Sequence, residues 1–107
     1  MTPLPPLDEL QSAIDEVATS WPEVTGKNVF GHRGWVRSGR MFGFLAMPGV
    51  SVKADEARAA VLLERPGARP FTYNERPMKG WPVLPLASGS DLDAAVEELR
   101  ASYESVG

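Results

Sequence analysis

His32 is the only histidine in this 107-residue chain, and there is no cysteine. The cysteine count rules out a disulfide framework, a thiolate zinc site and a thiol nucleophile. A metal site or a Ser-His arrangement would need partners for His32 that the sequence does not place at any recognisable spacing. The run Phe30-Gly31-His32-Arg33-Gly34 sets glycines beside a base. Its G-x-x-G spacing is too short for a phosphate loop, however, and no Gly-Lys-Ser/Thr follows. Asp8, Asp15 and the acids near the C-terminus fall on polar helix sides, where carboxylates are usually solvated. These residues supply no nucleophile, base and oxyanion donor together, so the expectation is a non-enzyme with no cofactor and no metal.

Binding is the chemistry better represented. Lys27, Arg33, Arg37 and Arg40 gather around one stretch, and Arg69, Arg76 and Lys79 around another. Phe30, Trp35, Phe71, Tyr73 and Trp81 are interleaved with them, a mixture that a base-stacking surface uses. The charge is segregated. Residues 1–23 carry five acids and no base, residues 91–107 five acids and Arg100, and the middle ten bases against four acids. A net charge of −3 opposes general phosphate affinity, and aromatics in alternating strands are normally core. Direct nucleic-acid binding is therefore the second reading, behind protein interaction.

The elements that must hold these groups follow from periodicity. Leu7, Leu10, Ile14, Val17, Ala18 and Trp21 form one helical stripe that Pro22 ends. Ser38-Gly39 between two apolar runs predicts a tight hairpin, and Pro48-Gly49 the next turn, giving three antiparallel strands between residues 29 and 53. Strict alternation puts Phe42 and Phe44 on one face and Met41, Gly43 and Leu45 on the other, with this strand central. Residues 54–65 read as a second helix with Ala57, Ala60, Val61, Leu62 and Leu63 as its apolar positions. A strand pair spans 70–86, where Pro82 and Pro85 predict a sheet edge or bulges. Ser90 is the expected N-cap of a last helix striped by Leu92, Ala95, Val96, Leu99, Tyr103 and Val106. The expectation is one α+β domain over 1–107, two-layered, in the order α-β-β-β-α-β-β-α with a five-stranded antiparallel sheet. No apolar run approaches the roughly 20 residues that span a bilayer. The opening MTPLPPLDEL has neither part of a secretory leader, so the expected compartment is the cytoplasm.

Four stretches in order resemble the N-terminal domain of the TfoX/Sxy competence regulators. They are Val29-Phe30-Gly31 with Gly34-Trp35, Gly39 to Gly43, Val50 to Asp55, and Pro70-Phe71-Thr72-Tyr73 with Arg76-Pro77-Met78-Lys79-Gly80-Trp81. His32 departs from the family, which usually has a second glycine there, and the family's helical second domain has no counterpart in these residues. The resemblance implies a YjbR-like or secretion-chaperone-like fold, with Phe30, Gly31, Gly34, Phe71, Tyr73, Met78, Gly80 and Trp81 as structural motif positions. It also implies a non-catalytic regulatory or protein-interaction module, whose partner is a protein such as a transcription factor, or a second copy. Arg33, Arg37, Arg40, Arg76 and Lys79 are the candidate contact residues, and the same basic hairpins serve the nucleic-acid alternative. A third reading places a small ligand under Trp81 and Phe30.

Overall fold

The computed structural model describes residues 8–29, 31–46 and 48–107. The first helix, α1 (Glu9–Ser20), starts at Asp8, whose carboxylate accepts from the Gln11 N–H at 2.7 Å while the Gln11 side chain returns to the Asp8 N–H at 2.9 Å. That reciprocal cap satisfies two otherwise orphaned donors. Pro22 follows the helix as expected, and Leu7 of the predicted stripe lies outside the described residues. Four strands come next: β1 (Val24–Val29), β2 (His32–Arg37), β3 (Arg40–Leu45) and β4 (Val50–Val52). They lead to α2 (Glu56–Leu63), then β5 (Arg69–Tyr73), β6 (Arg76–Leu84) and α3 (Gly89–Ser105).

The fold is α+β, as the periodicity predicts, but the sheet has six antiparallel strands in the order β1-β2-β3-β4-β6-β5. The added strand is β1, paired residue for residue with β2 from Val24↔Arg37 to Val29↔His32. In this segment Val24 and Thr25 favour extended structure, but Gly26, Lys27 and Asn28 in its middle do not. It is a strand because β2 offers a complete ladder and because Gly26 leaves room for a side chain: a Cβ there would lie 2.2 Å from the Arg33 guanidinium carbon.

Two further expectations need correction, and a third is met in one of its two forms. Phe42 has no Cα partner in β2, since Trp35 pairs with Gly43 and Val36 with Met41. This bulge inverts the alternation, so Phe42 joins Leu45 in the core under the helices while Phe44 joins Ala46, Phe71 and Val83 in a second cluster. Of the two settings expected for Pro82, a sheet edge or a bulge, the structure has the bulge: the strand is internal, flanked by β4 and β5, and its register with β5 breaks beside Pro82. Pro82 is tolerated because it stands opposite Pro70 where the ladder is interrupted, and β4 pairs only beyond it, at Val83 and Leu84. The N-cap of α3 is Ser88, not Ser90; its hydroxyl accepts from the Asp91 N–H, and Asp91 accepts in turn from the Ala87 N–H at 2.9 Å.

The main core is built from Ile14, Ala18, Trp35, Phe42, Leu45, Val50, Val52, Leu62 and Leu99 between the sheet and the helices. The sheet curls strongly. His32 in β2 and Phe71 in β5 are four ladder steps apart, which in a flat sheet is about 19 Å, yet their rings lie 6.2 Å apart. Phe44 packs edge-on to Phe71 at 4.8 Å inside that curl. No helix among the described residues is long and apolar enough to cross a membrane.

The β5–β6 turn carries Asn74 and Glu75 at φ 52° and 63°. Positive φ at both central positions of a two-residue hairpin favours Asn-Gly, and a glutamate there costs roughly 1 kcal/mol. Glu75→Gly is accordingly expected to raise the unfolding free energy by about 1 kcal/mol in urea titration. A variant no more stable than the parent would show that the turn is not strained.

Candidate functional site

The register between β5 and β6 breaks sharply. Pro70 faces Pro82 while the next residue, Phe71, faces Met78, so Lys79, Gly80 and Trp81 have no opposite number. Gly80, at φ +84°, permits this excursion. Two bonds fix the loop against the body of the sheet. The Ala54 N–H donates to the Gly80 carbonyl at 2.9 Å, and the Ser51 hydroxyl to the Trp81 carbonyl at 3.2 Å. Bulges of this kind re-aim side chains, and they concentrate near functional sites.

The excursion forms one wall of a groove of about 630 Å³, and α2 forms the other. Ala59, Ala60 and Leu63 come from the helix; Pro70, Pro77, Met78, Trp81 and Pro82 come from the strands. Among the described residues, Glu56 and Lys79 are its only charged lining residues. Small side chains on α2 make the space, because Ala59 and Ala60 fill little of it. The helix itself is held firmly. Asp55 caps it by accepting from the Arg58 N–H at 2.8 Å, and the Arg58 guanidinium binds the Lys53 carbonyl, the Ser102 hydroxyl and Glu98. Arg65 adds a second contact to Glu98 at 2.6 Å. Trp81 is half-buried, its ring 5.5 Å from Phe44, so the groove's aromatic wall rests on the inner cluster.

The sequence expectation for α2 is partly reversed here. Only Ala59 and Leu62 are buried on it. Ala57, Ala60, Val61 and Leu63 are exposed, with Val61 at 61%. A helix that turns this much apolar surface outward beside an apolar groove is a stronger interaction signal than any single residue in the chain.

The five candidate contact residues do not form one face. Arg33 donates to Asp15 at 2.9 Å as an ion pair with α1. Arg37 donates to the Tyr103 carbonyl at 3.0 Å and lies over that ring at 4.1 Å, with its Nε buried and lacking an acceptor among the described residues. Both are therefore committed to holding helices on the sheet. Arg40 is exposed on β3, beside a shallow hollow it shares with Lys53 and Arg58. Arg76 and Lys79 are exposed on β6, across β4 from Arg40. Trp35 and Phe71 are buried, Tyr73 is 46% exposed, and Phe30 lies outside the described residues. Gly31 takes φ +78° in the β1–β2 turn, and Gly34 is buried between Lys27 and Phe44. Among the described motif and contact positions, only Met78, Lys79, Gly80 and Trp81 line the groove. The α2 alanines escape sequence reading because alanine in a helix carries no functional signature.

His32 lines the inner cluster, 6.1 Å from Phe44, and its Nδ1 is buried with no hydrogen-bond partner among the described residues. Burial lowers its pKa below the usual 6.5 by removing water from the charged form. The folded state therefore binds the proton less well than the unfolded chain. The stability this represents is complete above pH about 6.5 and is lost as pH falls through that value toward the folded pKa. The stability gap between the parent and His32→Gln is expected to be larger at neutral pH than in mild acid, measured by urea unfolding. A gap independent of pH would contradict the assignment. Among the described residues no three His, Asp or Glu side chains gather as a metal site. No family model, no curated protein and no solved structure matches this chain, so the resemblance to the TfoX/Sxy domain rests on its motifs alone.

Proposed function

We propose that the protein is a non-catalytic interaction module of the kind the TfoX/Sxy N-terminal resemblance implies, and that it docks an apolar segment of a protein partner in the α2–β6 groove. The observation that carries this reading is the three-residue excursion of β6. It takes Lys79, Gly80 and Trp81 out of the β5 ladder and opens an apolar channel beside a helix with exposed apolar side chains. A volume of about 630 Å³ falls within the range that binding sites occupy. Apolar walls with a charge at the rim suit a segment anchored by one or two large side chains. The nucleic-acid alternative is disfavoured by the use of Arg33 and Arg37 inside the fold, because phosphate contacts need free cations.

Small organic probes test the groove without a known partner. Isopropanol or indole added to the isotope-labelled protein is expected to shift the amide signals of Ala60, Leu63, Gly80 and Trp81 selectively. Shifts spread evenly over the surface would sink the reading.

A further inference from the structure

The two edges of the sheet differ. Along β5, Pro70 has no N–H, the Arg69 guanidinium is bound to the Pro48 carbonyl at 2.8 Å, and Thr72 is left as the single strand-interior residue that can pair outward. Along β1 there is no proline. The Ser38 N–H donates to the Glu23 carbonyl at 3.2 Å, and Val29 closes the hairpin with His32. In an antiparallel ladder this alternation turns residues 23, 25, 27 and 29 toward β2, and Val24, Gly26 and Asn28 outward. The Val24 N–H is already bound to the Trp21 carbonyl at 3.3 Å. The N–H groups of Gly26 and Asn28 and the carbonyls of Val24, Gly26 and Asn28 have no partner among the described residues.

We infer that β1 pairs with the β1 of a second copy, antiparallel about a two-fold axis, with Gly26 opposite the partner's Gly26. Charge and donor supply select this register from its neighbours. Pairing Gly26 with Gly26 and Asn28 with Val24 makes about four backbone bonds and needs no donor from Val24. It sets Lys27 beside the partner's Thr25. A shift one way places Lys27 opposite the partner's Lys27, a destabilising like-charge pair. A shift the other way demands the Val24 N–H, which is occupied. Lys27 thus guards against one register while permitting another. The arrangement closes at two copies, because a two-fold interface uses the same edge on both chains and the β5 edge is blocked by Pro70. The joined sheet runs continuously through both copies and leaves both α2–β6 grooves outside the contact, so it does not rest on the groove reading.

The chain has no cysteine, so single cysteines report the register cleanly. Thr25→Cys and Lys27→Cys proteins, mixed and oxidised with glutathione disulfide, are expected to give a covalent dimer that neither gives alone. Crosslinking of Lys27→Cys by itself, or of Thr25→Cys by itself, would reveal a different register and overturn the inference. Sedimentation equilibrium of the parent over a concentration series should show a monomer–dimer equilibrium; a monomer throughout would overturn it equally. Thr25→Lys, an exposed change that sets two Lys–Lys pairs across the axis, should weaken the dimer about fivefold. Ala60→Arg, in the groove, should leave the dimer unchanged.

Discussion

Tyr103→Ala is expected to lower the unfolding free energy by about 4 kcal/mol, the range for removing a buried aromatic. Tyr103 is 3% exposed and joins three elements at once. Its ring meets Trp21 at 5.2 Å and Phe42 at 5.5 Å. Arg37 and Arg100 lie against it at 4.1 Å and 4.7 Å. Its hydroxyl donates to the Pro22 carbonyl at 2.9 Å, tying the end of α3 to the chain leaving α1. Truncation opens a cavity and removes the cation–π contacts together. Tyr103→Phe separates the two contributions, since it removes only the hydrogen bond and should cost about 1 kcal/mol. Chemical denaturation of the three proteins decides the matter; equal losses for the two variants would show that the hydroxyl, not the ring, holds α3.

Asp15→Ala should cost about 3 kcal/mol, because one carboxylate oxygen receives two donors and its loss strands the buried Trp35 N–H while breaking the ion pair to the partly exposed Arg33. The Trp35 Nε1–H reaches it at 2.7 Å and the Arg33 Nε–H at 2.9 Å. Trp35 is wholly buried, so its N–H would find no water. Asp15→Asn keeps an acceptor oxygen and loses only the charge, and should cost about 1 kcal/mol. The ordering of the two variants in urea titration is the informative result. An alanine variant as stable as the asparagine variant would mean that the Trp35 N–H is satisfied some other way.

Asp15 also marks the boundary between what the sequence makes legible and what it does not. Helix spacing puts Asp15 on the polar side of α1, and nothing local says that an arginine eighteen positions on and a tryptophan twenty positions on will close on it. The same blindness assigns Arg33 and Arg37 to a surface, since an isolated basic residue in a strand reads alike whether it binds phosphate or a carboxylate of its own fold. The helices, the Ser38-Gly39 hairpin and the β5–β6 pair were readable because periodicity and turn chemistry are local. Strand β1 was not, because its ladder is supplied by β2 and its glycine serves Arg33. The bulge at Phe42 defeats a strict two-residue period by one position, which puts Phe42 and Phe44 on opposite faces. In the groove, the excursion of Lys79 to Trp81 has one local sign, Gly80 between a lysine and a Trp-Pro pair. Its significance depends on α2, whose alanines lie more than fifteen residues earlier.

Selection of a displayed random-peptide library, run in parallel on the parent protein and on Ala60→Arg, tests the docking groove most directly. Ala60 is exposed on α2, so an arginine there fills the channel while leaving the core intact. Peptides with large apolar anchors are expected to enrich on the parent at least about tenfold over the variant, the ratio that a loss of roughly 1.4 kcal/mol produces. Equal recovery from the two proteins would contradict the groove as the binding site.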